Sequence, residues 1–103
     1  MTDDRFEKML LGDIDCIEEA LVSGSVIDKF NAIISIIENN IKAESVITLI
    51  KTLRENEDRA YRENPDMTIS NFAIAALDIL EIEKYNGDDK YIRKLIKEKL
   101  GIT

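Results

Sequence analysis

Apolar positions recur along this chain at spacings of three and four residues, in blocks separated by short polar turns. The most apolar block runs from Ile69 to Ile82, where Ser70, Asn71, Asp78 and Glu81 are the polar side chains. At about 100° per residue these four share one stripe about 100° wide, and the rest of the helix is apolar. A helix of that kind is buried on two or three sides. Its Ala75-Ala76 pair lets one neighbour approach closely. This block is expected to form the middle of the core.

The blocks on either side have start and stop signals of their own. Thr2 or Asp3 caps a first helix through about Leu11, with Phe6, Met9 and Leu10 inward and Gly12 at its end. Asp13 caps a second helix to about Val22, with Ile14, Ile17 and Leu21 inward and Glu18-Glu19 facing water. Residues 3–22 form one kinked helix or two, and Gly12 favours two. Ser25 caps a third helix through about Asn39. Val26, Ile27, Phe30, Ile33, Ile34, Ile37 and Ile41 share one face, with Asp28, Asn31, Ser35 and Glu38 opposite. Isoleucine favours strands by propensity, but a strand would scatter these residues over both faces, so the period decides for helix.

A fourth helix from about Glu44 places Val46, Ile47, Leu49, Ile50 and Leu53 inward. In residues 54–66 every side chain except Ala60 and Tyr61 is charged, Asn or Pro. The fourth helix either stops before this stretch or continues into it as a solvated extension, and Pro65 forces a turn. Thr68 caps the fifth, central helix, and Asn86-Gly87 marks the loop from Glu83 to Asp89. Asp88 or Asp89 caps a sixth helix that turns Tyr91, Ile92, Leu95, Ile96 and Leu100 inward, and Gly101 ends it. The pattern predicts an all-α domain of five to six helices.

Composition narrows what such a domain can do. Its 103 residues, 45% apolar and 34% charged, are those of one soluble globular domain, 1–103. No apolar run approaches the ~18–20 residues needed to span a bilayer. The acidic opening M-T-D-D-R-F-E-K lacks a basic-then-apolar signal pattern, so a cytoplasmic location is expected, with no membrane partner. Cys16 is the single cysteine and histidine is absent, which removes internal disulfides and leaves the zinc and Cys/His-nucleophile readings without residues. The carboxylate pairs Asp3-Asp4 and Asp88-Asp89 sit at helix starts, where capping accounts for them. No catalytic constellation, cofactor site or metal site emerges, and the chain reads as a non-enzyme.

The third-plus-fourth and fifth-plus-sixth helices look like two copies of one unit. Phe30 matches Phe72 at an offset of 42, and V46-I-T-L-I-K51 matches I92-R-K-L-I-K97 at an offset of 46. F72-A-I-A-A-L-D-I-L-E-I82 followed by Y91-I-R-K-L-I-K97 resembles a HEAT repeat, with small residues on the first helix and an apolar stripe on the second. The resemblance implies two HEAT-like antiparallel hairpins, 25–57 and 67–101, behind an acidic N-terminal cap formed by 1–24. It also implies a protein-interaction module.

Charge suggests where a partner would bind. The net charge is −7, and residues 1–24 hold seven acids against Arg5 and Lys8, so most of the imbalance lies there. Asp13, Asp15, Glu18 and Glu19 project from one short helix and are candidate contacts to a basic protein. Tyr61 and Tyr85, in polar loops, are candidate anchors. An immunity protein or inhibitor masking a basic toxin fits this pattern, as does an adaptor. The alternative is nucleic-acid binding through the basic last helix, with Lys90, Arg93, Lys94, Lys97 and Lys99; the overall acidity makes that unfavourable. Monomer and homodimer both remain open.

Overall fold

Three of the helices start and stop by the same two devices. The computed structural model describes residues 1–101 apart from Ala60 and Arg62. It contains six α-helices: α1 (Asp3–Leu10), α2 (Ile14–Ser23), α3 (Val26–Glu38), α4 (Glu44–Thr52), α5 (Ile69–Ile79) and α6 (Lys90–Lys97). At the starts of α1, α3 and α5, the hydroxyls of Thr2, Ser25 and Thr68 accept from the amides of Arg5, Asp28 and Asn71. At their ends, Gly12, Asn40 and Glu81 take left-handed backbone angles, with φ of 95°, 48° and 63°. Their amides donate to Met9, Ile37 and Asp78, and the next amides donate to Lys8, Ile36 and Leu77. This double bond satisfies carbonyls that a helix end otherwise leaves unpaired.

The even-numbered helices start differently. Asp13 accepts from the amide of Cys16 to cap α2, and Asp89 accepts from Ile92 to cap α6. Ala43 at the start of α4 offers no side chain for this purpose. One of the three left-handed C-terminal residues is a poor choice for its conformation. Glycine adopts positive φ freely and asparagine tolerates it, whereas a glutamate there costs about 1–2 kcal/mol. Glu81→Gly is therefore expected to raise stability by about 0.5–1 kcal/mol, after the greater unfolded-state freedom of glycine is offset. Chemical denaturation followed by circular dichroism measures this, and a lowered midpoint would contradict it.

Packing is organised around α5. It lies against α3, α4 and α6, and also against short 3-10 turns at Leu53–Glu55 and Lys99–Gly101. Ile69, Ser70, Phe72, Ala73, Ala75, Ala76 and Leu77 of α5 are all buried. The helix α3 packs against α1, α2 and α5, and α2 packs against α4. The Phe30 and Phe72 rings, from α3 and α5, meet edge to face with centroids 4.7 Å apart. Among the described residues there is no strand, only one isolated bridge between Arg59 and Thr68. No helix there is long and apolar enough to cross a membrane.

Several positions differ from the periodic expectation. The segment after Asp3 is two helices, as Gly12 favours. The fourth helix ends at Thr52 and does not extend far into the charged stretch; a 3-10 turn follows. Within that stretch Ala60 lies outside the described residues. The central helix ends at Ile79 and not at Ile82, because Glu81 reverses the chain direction. Ser35 and Ser70, on sides expected to be polar, are buried. The Ser35 hydroxyl donates to the Met9 carbonyl at 2.6 Å, tying α3 to the end of α1. The Ser70 hydroxyl donates to the Arg54 carbonyl. Ile14, Leu10 and Ile27, expected inward, are instead exposed.

The charged stretch also has a structural task that its composition conceals. A buried helix start leaves four amides seeking acceptors. The Asp58 and Asn56 carbonyls accept from the Ile69 and Ser70 amides, at 3.0 and 2.7 Å. The Thr68 hydroxyl accepts from the Asn71 amide, and the Thr68 amide itself donates to the Asp66 carbonyl at 3.0 Å. The polar chain before α5 is thus part of what lets α5 be buried.

Candidate functional site

Asp13, Glu19, Glu18 and Asp15 occupy four different environments. Asp13 is spent on the start of α2, and its bond from the Cys16 amide holds its carboxyl below the usual carboxylate range. Its contribution to stability is present above the unfolded carboxylate range and disappears as pH falls through the lowered folded value. Glu19 pairs with Arg5 at 2.8 Å, joining α1 to α2, and this bond raises the guanidinium above its ordinary value. Glu18 accepts from the Ser45 hydroxyl at 2.9 Å, joining α2 to α4. Asp15 is exposed in the first turn of α2. No cation among the described residues lies within ion-pair distance of Asp13, Asp15, Glu18 or Glu44.

Between α2 and α4 runs an open groove of about 620 Å³ lined by Glu18, Val22, Glu44, Ser45, Thr48 and Leu49. Along the outer side of α2, Ile14, Glu18 and Val22 follow one another at four-residue intervals and so share a face. Ile14 is 40% exposed and Val22 64% exposed, and neighbouring Leu11 reaches 81%. This mixture of apolar and acidic side chains was not evident from the sequence, where Ile14 fitted an inward stripe. Periodicity places Ile14 on a helix face; it does not say that α1 and α3 leave that face open.

The two tyrosines differ. Tyr61 is 56% exposed. Tyr85 is held in its loop: its amide donates to the Asp78 carboxylate at 2.8 Å, and its hydroxyl accepts from the Asp89 amide at 3.0 Å. A Cβ at position 87 would collide with the Tyr85 ring and hydroxyl, which explains the glycine of Asn86-Gly87 without a left-handed turn. Tyr85 thus orders the approach to α6, far from α2 in the chain.

Lys90, Arg93, Lys94 and Lys97 of α6 are exposed. Arg93 donates to the Gly87 carbonyl at 3.0 Å and reaches Asp88 at 3.3 Å. Lys94 and Lys97 lie in the last turn, where the helix dipole favours cations. Arg54 and Lys51 both approach Glu83, fastening the segment after α5 to the end of α4.

For chemistry the inventory is short. Among the described residues no three acids or cysteines converge as metal ligands. Cys16 is buried, and burial pushes its thiol above the ordinary value, away from the reactive thiolate. A thiol reagent is expected to label it only after unfolding; rapid labelling of the native protein would contradict that. Compared with known proteins, the chain matches no family model, no curated protein and no solved structure.

Proposed function

We propose that this protein is a non-enzymatic protein-binding module of HEAT-like type, which engages a basic partner through its acidic N-terminal helices. The observation that carries this reading is the set of unneutralised carboxylates on α2 and the start of α4, beside exposed Ile14 and Val22. Capping and ion pairing engage Asp13 and Glu19 directly, whereas Asp15 and Glu44 meet only the dipoles of α2 and α4 and leave their carboxylates free for a partner. The repeated cap and left-handed stop of α1, α3 and α5 support a repeat architecture, with the N-terminal pair of helices built like the other two. An inhibitor or immunity protein masking a basic toxin belongs to this class, as does an adaptor, and the setting is a cytoplasmic one.

The experiment is affinity capture from the source cell followed by association kinetics with the captured protein. Asp15→Lys combined with Glu18→Lys is expected to slow association, most strongly at low ionic strength, because opposite potentials steer encounter. Asp15 is exposed, while half-buried Glu18 gives up its bond from Ser45, so the double variant should cost about 0.5–1.5 kcal/mol and the fold should persist. The comparison is Lys94→Glu with Lys97→Glu at the other end. If only that second pair harms binding, the N-terminal assignment is wrong. Retardation of nucleic acid at low salt, lost with those lysine substitutions, would favour the polyanion-binding alternative instead.

A further inference from the structure

We infer that the occupant of the groove between α2 and α4 is an amphipathic helix of a partner protein, with cationic side chains flanking an apolar ridge. This deepens the proposed protein-binding function and rests on it. Three features of the surface select that occupant. The first is shape: two neighbouring helices of 10 and 9 residues enclose an open channel. At 1.5 Å per residue their length suits about three turns of a third helix laid between them.

The second feature is the exposed apolar stripe. Ile14 and Val22 stand on the outer side of α2, and half-buried Leu49 forms part of the groove floor on α4. Exposed isoleucine and valine on one stripe leave apolar surface in water that a partner's apolar ridge would cover. The third is charge. Asp15, Glu18 and Glu44 border the same stripe, with no cation paired to them among the described residues. An extended basic tail would satisfy the carboxylates and leave Ile14 and Val22 wet. A purely apolar helix would bury carboxylates without partners, which is costly. A helix carrying lysines or arginines beside a leucine-type ridge meets both requirements.

The probe is a fluorescent synthetic helix with a leucine stripe flanked by lysines, against a peptide of the same composition scrambled so that no face is apolar. Fluorescence anisotropy is read at low and at high salt, with circular dichroism confirming that each variant folds. The patterned peptide is expected to bind more tightly than the scrambled one. Ile14→Ser with Val22→Ser is expected to weaken it about tenfold or more without altering its salt dependence, each tenfold corresponding to ~1.4 kcal/mol. Glu18→Gln with Glu44→Gln is expected to weaken it at low salt and to flatten the salt dependence, while Glu38→Gln with Glu98→Gln leaves it near wild type.

If both peptides bind alike and the serine variant behaves as wild type while charge variants still matter, the groove assignment falls and the acidic-surface reading stands. If neither peptide binds at low salt, both fall. If sedimentation shows the wild type to be a dimer and the serine variant a monomer, a second copy covers the stripe and the inference is overturned.

Discussion

Phe72→Ala is expected to lower stability by about 3–5 kcal/mol, the largest effect of any single substitution considered. The ring is 5% exposed on the helix that touches α3, α4 and α6, so its removal leaves a cavity bordered by several elements. It also meets Phe30 edge to face, at an interplanar angle of 87°. Such a pairing contributes about 0.5–1.5 kcal/mol beyond the buried area. Domains of this size are stable by about 5–15 kcal/mol in total, so the variant should be marginal at elevated temperature. Urea unfolding gives the magnitude, and the double variant with Phe30→Ala gives the coupling. Tyr61→Ala, at an exposed position, serves as the control and should shift the midpoint little. Equal shifts for Phe72→Ala and Tyr61→Ala would contradict the core assignment.

Ala76→Leu tests the opposite error, too much volume where helices meet closely. Ala73, Ala75 and Ala76 are each 0% exposed, so α5 presents small side chains towards more than one neighbour. A leucine at position 76 has no solvent route of escape and must displace a packed element, at a cost of about 1–3 kcal/mol. Ala76→Gly is the useful companion, because it removes volume from the same place and weakens the helix by about 1 kcal/mol through propensity alone. If Ala76→Leu instead unfolds at the wild-type midpoint, the closely packed environment of α5 is wrong.

Much of the framework was legible because it depends on local chemistry. The hydroxyl caps at Thr2, Ser25 and Thr68, the Asp13 cap and the Gly12 stop are short-range interactions between residues three to five apart. They can be recognised without knowing what packs where. The same holds for the helical period of α3 despite its isoleucines, and for the burial of most of α5. What escaped depends on neighbours. Ser35 sits on the side of α3 away from its main apolar face, yet that side meets α1, where the Met9 carbonyl accepts from its hydroxyl. Ile14 follows the inward spacing of Ile17 and Leu21 but stands at four-residue intervals with Glu18 and Val22 on the open side of α2, and is 40% exposed.

The end of α5 shows a different limit. Nothing in D78-I-L-E-I82 resembles a helix stop, since Glu81 is a good helix former in a left-handed position. The double carbonyl bond by the Glu81 and Ile82 amides, and the anchoring of the following Glu83 by Lys51 and Arg54, hold the turn. The candidate surface was legible only in part. Its charge followed from counting, whereas the groove and the outward apolar stripe required the packing of α2 against α4.

Native-state hydrogen exchange tests most directly the claim that the fold is built around α5. The amides from Phe72 to Leu77 lie in the most enclosed helix, and the amides before them are closed by Thr68, Asp58 and Asn56. They should exchange only through global unfolding, with opening free energies equal to the stability measured by denaturant, while amides of α1 and α6 exchange earlier. Exchange of the α5 amides as fast as those of α6, or by local openings indifferent to denaturant, would contradict the account.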